Sequence, residues 1–285
     1  MALIFVLPPS LGSAKAEARA ELIRTALEPK LGEMVTTHVA TSYADIEERM
    51  ESGLAHIVWA PAAVTAKLPA AKAVFTIARE GRTRYHSAIV AKKNARLNLT
   101  MLQGKKAAWV DPLSAGGYLL AAARLRAEGI DLSRTFASQI FVGSHRAAVE
   151  AVLLDTADIT AVSSYETDSG AMVERMRWYA GPAGDKLTPI AFTESCLNDA
   201  IVLPATLEDS RANRIIQNLV PKTQSGMVRS RFLGALEADN LVQTPLADYH
   251  RLAPLLTPHT PDERNSSNPS DRPSRPSRPP RTSWY

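Results

Sequence analysis

The sequence of 285 residues contains a single cysteine, Cys196. One thiol excludes an internal disulfide and a zinc site built from several cysteines. Long apolar runs are also lacking, since none approaches the roughly 18 residues that a membrane-spanning helix needs. With 45% apolar and 22% charged residues, the composition indicates a globular protein that does not insert into a membrane. The length suits one large domain or two medium ones.

A strong charge of one sign is absent from most of the chain. The net charge is +4, but residues 258–285 hold five arginines against three acidic residues. The preceding 257 residues carry 28 basic and 26 acidic residues, so we expect no nucleic-acid binding by the folded part. Seven prolines, six serines and a repeated Arg-Pro-Ser in residues 258–285 predict a disordered, extended tail.

The start of the chain lacks the pattern of an export signal. Residues 1–7 have no basic segment, and Pro8 and Pro9 end their short apolar stretch. This pattern predicts a first β-strand beginning at residue 2 rather than a signal peptide. The expected location is therefore cytoplasmic, or periplasmic if the start has been trimmed.

Hydrophobic periodicity predicts strands and helices that alternate in two similar units. In the first unit, strands are predicted at residues 2–7, 34–40 and 55–59, and helices at 13–28 (stopped by Pro29) and 41–50. In the second, strands are predicted at 106–110, 138–142 and 159–162, and helices at 118–128 and 144–154. Further strands are predicted at 74–79, 85–92, 177–180 and 201–203, and further helices at 209–220 and 226–238.

This alternation predicts an α/β protein whose sheets are mainly parallel and flanked by helices. Two tandem units with more chain after the second suggest two lobes, between which the chain crosses near residues 79–86 and 181–195. Lobe one would comprise residues 1–82 and 191–257, and lobe two residues 83–190. Ligands of open α/β sheets bind at the carboxyl ends of strands, so we expect a cleft between the lobes.

One junction between a strand and a helix has the composition of an anion seat. The predicted strand ending at Val110 runs into Asp111-Pro112, then a short run of serine, alanine and glycine, then a helix. Backbone N–H groups at the start of a helix have no partner in the helix, and the helix dipole makes that end positive. The hydroxyl of Ser114 adds a further donor there. The same residues also suit a tight turn with a serine cap, so this motif alone leaves both interpretations open.

Several short motifs spread along the chain together resemble a known family. They are Ser42-Tyr43-Ala44-Asp45-Ile46, Gly53 with His56-Ile57-Val58-Trp59, Tyr85-His86-Ser87-Ala88-Ile89-Val90, Asp111-Pro112-Leu113-Ser114-Ala115-Gly116-Gly117-Tyr118, Gly129-Ile130-Asp131, Phe141-Val142-Gly143-Ser144-His145, Ala151-Val152 with Ala157-Asp158, Asn198-Asp199-Ala200-Ile201-Val202, and Asp248-Tyr249. Their order and spacing resemble the phosphate, phosphite and phosphonate substrate-binding proteins of ABC transporters (the PhnD type), over nearly all of residues 3–256. The resemblance implies a type 2 periplasmic-binding-protein fold, two-lobed with the ligand in the cleft.

The resemblance also implies which residues hold the ligand. Members of the family bind the phosphonate or phosphate group on an Asp-Pro-x-Ser-Thr-Ser-Gly turn. Ser114 matches the first serine, whereas Ala115 and Gly116 stand where threonine and serine are usual. Two hydroxyl donors are therefore missing, and the backbone donors remain. The change either weakens the affinity or alters the ligand.

Three aromatic or imidazole side chains match further ligand contacts of the family. Tyr43 and Tyr85 match tyrosines that reach the ligand from the two sides of the cleft, where a phenol can donate to an oxyanion. His145 matches the histidine of a Gly-Ser-His helix start. It can donate to a phosphoryl oxygen, and a bound dianion would favour its charged form.

The acidic side of the family's cleft is only partly matched. Asp199 matches an acid that faces the ammonium group in aminophosphonate binders. The second acid of that clamp falls on Tyr165, with Glu166 one residue later, which disfavours an aminoalkylphosphonate against phosphate, phosphite or methylphosphonate. Ser10, in the loop after the first strand, is a further predicted contact.

The resemblance favours non-catalytic binding of a small phosphate- or phosphonate-like oxyanion, by a cytosolic sensor or scavenger or by a transporter-type solute-binding protein. Two alternatives remain open. One is a cytosolic enzyme on the same fold that acts on a small carboxylate or phosphorylated metabolite, and the other is an interaction scaffold with a degenerate cleft. The sequence contains no nucleophile motif and no cluster of metal ligands, so we expect no catalytic residue, metal or cofactor. The expected partners are the oxyanion and an unidentified protein.

Overall fold

The computed structural model describes residues 2–9, 13–219 and 231–256. The last residue of the helix predicted at 209–220 lies outside these ranges, and three further predictions fall wholly or partly outside them. They are the contact at Ser10, the first part of the helix at 226–238, and the tail at 258–285.

The first of two sheets is built from the two ends of the chain. Its six strands are β1 (Leu3–Leu7), β2 (Val35–Val39), β3 (Ile57–Ala60), β4 (Ala71–Ala78), β11 (Ala200–Pro204) and β12 (Asn240–Gln243), in the order β12-β4-β11-β3-β1-β2. β1 is parallel to β2 and β3, and β11 is antiparallel to β3 and β4. The sheet is therefore mixed, with a parallel half and an antiparallel half.

The second sheet is built from the middle of the chain. Its strands are β5 (Arg84–Lys92), β6 (Lys106–Trp109), β7 (Ser138–Phe141), β8 (Ile159–Ser164), β9 (Leu187–Phe192) and β10 (Cys196–Leu197). They run in the order β10-β5-β8-β6-β7, and β9 also pairs with β5. Because β10 is hydrogen-bonded to β5, the chain returns to the first sheet between Leu197 and Ala200, later than the predicted residue 191.

Helices cover both sheets. They are α1 (Ser13–Leu31), α2 (Tyr43–Glu51), α3 (Ala62–Lys67), α4 (Leu120–Ala127), α5 (Leu132–Thr135), α6 (His145–Leu153), α7 (Ser169–Ala180), α8 (Asp209–Leu219), α9 (Arg231–Ala235), α10 (Leu246–Tyr249) and α11 (Ala253–Leu256). The α/β class, with mixed sheets flanked by helices, is confirmed. The sheets are not mainly parallel, however, since six of the ten strand pairs in the described residues are antiparallel. Within the described ranges, no helix combines the length and apolarity that a bilayer crossing requires.

Two local predictions were wrong. Residues 177–180, predicted as a strand, are the last turn of α7, because Met172, Met176 and Tyr179 recur at helical spacing and pack into the core beside the second sheet. Pro29 does not stop α1, which continues to Leu31. A proline in the last turn removes only one helical hydrogen bond, and the helix ends instead at Gly32, whose φ is +66°.

Candidate functional site

The junction after β6 has the predicted form of a strand, a turn and a helix. Ser114 caps the next helical segment, since its Oγ accepts a hydrogen bond from the Gly117 N–H at 3.1 Å. One turn of π-helix, Ala115–Leu119, leads directly into α4. The N–H groups of Ala115 and Gly116 have no acceptor within the described part of the chain. Two backbone donors are thus free at a buried helix start.

Close packing explains the small residues of this turn. A Cβ on Gly117 would lie 2.3 Å from Cγ2 of Val110, so no side chain fits there. A Cβ on Gly116 would lie 2.9 Å from Cε2 of Tyr85 and 3.3 Å from Cβ of Ser163. A serine, which the family resemblance implies is usual at position 116, would therefore collide with Tyr85.

The turn opens into a cavity of about 110 Å³ between the two sheets. An engineered cavity of roughly 150 Å³ holds benzene, so this one suits a ligand of a few heavy atoms. Its lining includes all eight predicted contacts that lie in the described ranges: Tyr43, Tyr85, Ser114, Ala115, Gly116, His145, Tyr165 and Asp199. The structure therefore brings together residues that are up to 156 positions apart, from Tyr43 to Asp199.

His145 enters the cavity from the first turn of α6. Its ring stacks on Tyr179, with centroids 5.5 Å apart. The Nδ1 atom is buried and has no hydrogen-bond partner among the described residues. Burial, together with the nearby charge of Arg175, lowers the pKa of His145 to about 4. The imidazole is therefore neutral at pH 7 in the unliganded protein.

Tyr85 closes the cavity over the turn. It is buried on β5 beside Cys196. Burial raises the pKa of Tyr85 well above its usual value and that of Cys196 to about 12. Both groups are therefore protonated at neutral pH, and the thiol is not a reactive nucleophile.

The carboxylate on the acidic side of the cavity already interacts with other side chains of the protein. Asp199 accepts a hydrogen bond from the Trp59 Nε1–H at 3.1 Å, and the nearby charge of Arg79 favours its carboxylate form. Burial is the larger influence and raises the pKa of Asp199. The charge of Arg79 also acts on Tyr165, the residue that stands where a second acid was considered.

Sequence reasoning missed the arginines that line this cavity. They are Arg19, Arg79, Arg146 and Arg175, against only two lining carboxylates, Asp199 and Glu237. Arg19 pairs with Glu237, and Arg146 pairs with Glu150 outside the cavity. The lining is thus positive overall, which favours an anion.

Arg175 was missed because α7 was not recognised as one helix. Its signal is the spacing of Met172, Met176 and Tyr179, which places Arg175 on a neighbouring face of the same helix. The aromatic residues near its end, Trp178 and Tyr179, favoured a strand instead.

The donor set suits a small anion rather than a metal ion. Within the described residues, no group of three histidine, cysteine, aspartate or glutamate side chains is close enough to hold a metal. Among the described lining residues, the groups that lack partners include two backbone donors, the amides of Ala115 and Gly116, together with Nδ1 of His145 and one acceptor, Oδ1 of Asn198.

Comparison with known proteins assigns the chain to a family. The model of the family described as "ABC transporter, phosphonate, periplasmic substrate-binding protein" matches residues 5–249. The chain belongs to this phosphonate-binding family. A search of curated proteins found no match.

Solved structures of the same fold have low sequence identity to this family member. One is the binding protein component of an ABC phosphonate transporter from Pseudomonas aeruginosa, with a TM-score of 0.76, 17% identity, and coverage of 89% of this chain and 85% of that chain. PhnD1 from Prochlorococcus marinus, in complex with methylphosphonate, has a TM-score of 0.74, 15% identity, and coverage of 89% and 96%. A Xanthomonas citri protein bound to ATP has a TM-score of 0.69, 16% identity, and coverage of 90% and 95%.

Membership of the phosphonate-binding family decides several of the predictions. The family resemblance and the two-lobed fold are confirmed. The family consists of substrate-binding proteins, which confirms a non-catalytic role and gives no support to the enzyme alternative. It is also described as periplasmic, which agrees with the periplasmic alternative and not with the expected cytoplasmic location.

Proposed function

We propose that this protein reversibly binds a small phosphorus oxyanion of the phosphate or phosphonate class, as the periplasmic solute-binding component of an ABC transporter. The observation that carries the proposal is a pair of backbone amides, those of Ala115 and Gly116, that have no acceptor among the described residues. Both residues lie at a buried helix start and line a cavity of small-ligand size. Such an arrangement attracts oxyanions through both hydrogen bonds and the helix dipole. The partner implied is a membrane permease that receives the ligand.

The size and charge of the cavity limit the ligand. A volume of about 110 Å³ suits phosphate, phosphite or methylphosphonate. An ammonium group would need a free carboxylate, yet Asp199 already accepts from Trp59 and lies in the field of Arg79. We therefore propose that the site prefers an oxyanion without an amine, and that methylphosphonate binds more tightly than 2-aminoethylphosphonate.

The test is binding by calorimetry and thermal shift, with phosphate, phosphite, methylphosphonate, 2-aminoethylphosphonate, sulfate and acetate as probes. A ligand at 100 times its dissociation constant adds about 2.7 kcal/mol, which raises the melting temperature of a protein of this size by a few degrees. We expect shifts with the phosphorus oxyanions that lack an amine. Shifts with acetate alone, or with none of the probes, would contradict the proposal.

A double substitution tests the location of the site. Ser114→Ala with His145→Ala removes two donors from the cavity and should weaken binding at least tenfold, since each hydrogen bond to a charged group contributes about 1.5–3 kcal/mol. Ser144→Ala is the matched control, because Ser144 caps α6 through the Ala147 N–H in the way that Ser114 caps the π-turn. Ser144 does not line the cavity. Its substitution should remove a comparable helix-capping hydrogen bond without changing the affinity. If the double variant keeps the affinity of wild type, the ligand binds elsewhere.

A further inference from the structure

The guanidinium of Arg175 is a half-buried charge without a carboxylate partner in the described part of the chain. Its Nε donates to the Ser163 carbonyl at 3.2 Å and its Nη2 to the Ser163 hydroxyl at 3.0 Å. Glu80 and Glu237 act on it only through space. Arg79, another lining arginine, which directly follows β4, has Asp199 and Tyr165 nearby. Arg175 is thus a positive charge on the cavity wall that no carboxylate among the described residues pairs with.

The guanidinium is held close to the turn that lacks two hydroxyls. Its anchor, Ser163, lies next to Gly116, since a Cβ built on Gly116 would be 3.3 Å from the Ser163 Cβ. Arg175 and the turn also line the same cavity. A strong donor therefore stands beside the positions where Ala115 and Gly116 offer only their backbone amides.

Aromatic rings fix the position of this charge. The Arg175 Cζ lies 5.1 Å from the ring centroid of Trp178, 5.4 Å from that of Tyr179 and 6.0 Å from that of Tyr165. Tyr179 in turn stacks on His145, whose buried Nδ1 has no partner among the described residues. Because aromatic rings surround the guanidinium, its N–H groups keep one orientation, and the side chain loses little entropy when it binds an anion.

We propose that Arg175 is the charged anchor for the ligand's oxyanion in this protein and replaces the two hydroxyl donors that are absent at positions 115 and 116. This inference rests on the proposed function. A planar guanidinium donates two parallel hydrogen bonds to a tetrahedral oxyanion, and each is stronger than a bond from a neutral hydroxyl. The neutral imidazole of His145 would hydrogen-bond a third atom of the ligand, beside the two oxygens bound by Arg175.

The experiment measures the affinity for methylphosphonate and inorganic phosphate in wild type, Arg175→Met and Arg175→Lys. Arg175→Met keeps the length of the side chain without its charge, and we expect an affinity loss of 10-fold to more than 100-fold. Arg175→Lys keeps the positive charge but lacks the planar pair of N–H donors, and it should bind with intermediate affinity. Arg177→Met is the matched control on the same helix, because Arg177 is exposed and paired with Asp185, and it should bind like wild type.

The melting temperature without ligand separates an anchor from a structural residue. An unpaired charge costs stability until an anion binds it, so Arg175→Met should melt within roughly 2 °C of wild type, or higher, when no anion is present. A structural role predicts instead a clear fall in that melting temperature.

The possible results distinguish failure of the proposed function from failure of this inference. If wild type binds neither anion, the proposed function fails and this inference fails with it. If wild type binds and Arg175→Met binds within twofold, only the inference is wrong. If Arg175→Lys is as weak as Arg175→Met while both are folded, the charge is not what holds the ligand, and the inference is again wrong.

Discussion

At the scale of single residues, His145 shows how a buried environment changes the chemistry of a predicted contact. The sequence resemblance identified it as a donor whose charged form a bound dianion would favour. In the unliganded protein, burial and Arg175 lower its pKa to about 4, so it presents a neutral ring. Arg175, which supplies the positive charge instead, had no local motif to reveal it.

The lowered pKa of His145 predicts a pH dependence of stability. In the unfolded chain a histidine titrates near 6.5, whereas in the folded protein it stays neutral until about pH 4. Between these values the unfolded state binds the extra proton, so the free energy of unfolding falls as the pH drops through this window. The loss attributable to His145 is on the order of 1–3 kcal/mol, with the upper value reduced if solvent reaches the ring.

Urea unfolding at pH 7.5 and 4.5, in buffers that contain no phosphate, phosphonate or sulfate, measures this effect. Wild type should lose more stability between the two pH values than His145→Gln, which has no imidazole to titrate. His250→Gln is the control, because His250 is an exposed histidine that is not part of the cavity lining. Equal pH slopes in wild type and His145→Gln would show that the ring is not shielded from protonation.

At the scale of elements, the junction from β6 into the π-turn and α4 creates the anion seat. The Val110 N–H donates to the Gly117 carbonyl at 3.3 Å, which folds the turn back on the end of the strand. This contact leaves no space for a side chain at Gly117, while the Ser114 cap fixes the start of the helix. Ala115 and Gly116, whose amides have no acceptor among the described residues, therefore line the cavity.

Gly117→Ala should therefore destabilise the protein. The added Cβ would lie 2.3 Å from Val110 Cγ2 and 2.6 Å from its Cβ, so the strand or the turn must move. Overpacking of this kind costs about 1–3 kcal/mol or more, which lowers the melting temperature by several degrees. Gly234→Ala in α9 is the control, since a Cβ there meets nothing within 4 Å, and it should be neutral or slightly stabilising. Equal melting temperatures for the two variants would refute this account of the junction.

The elements were predicted unevenly, for physical reasons. The helix at α2 was predicted from Thr41-Ser42-Tyr43, and Ser42 does cap it by accepting from the Asp45 N–H at 3.1 Å. The end of α7 was taken for a strand because aromatic residues favour strands when viewed alone. Its helical state depends on packing of Met172 and Met176 into the core, which a short sequence window does not contain.

At the scale of the whole molecule, the two sheets bring opposite walls of the cavity together. Tyr43 and Asp199 come from the side of the first sheet, and Ser114, His145 and Arg175 from the side of the second. A direct link also crosses the cleft, since the Tyr43 N–H donates to Asp111 Oδ2 at 3.4 Å. A ligand that contacts both walls stabilises the closed arrangement over an open one.

This geometry predicts that ligand binding closes the molecule. In small-angle X-ray scattering, the radius of gyration of wild type should decrease when methylphosphonate is added to saturation, because only the closed form lets both walls touch the ligand. Arg175→Met, at the same methylphosphonate concentration, should show a smaller decrease. A radius of gyration that stays constant in wild type with bound ligand would mean that the two walls do not move.

The sequence by itself determined the α/β class, most of the strands and helices, the Ser114 turn and the family resemblance. These features depend on local periodicity, capping residues and short motifs, which neighbouring residues encode. Only the tertiary structure decided that Arg79 occupies the acidic side of the cavity, that Tyr85 excludes a side chain at position 116, and that no carboxylate among the described residues pairs with Arg175 beside the turn. These facts depend on distances between residues far apart in the chain, and packing of the two sheets alone sets those distances.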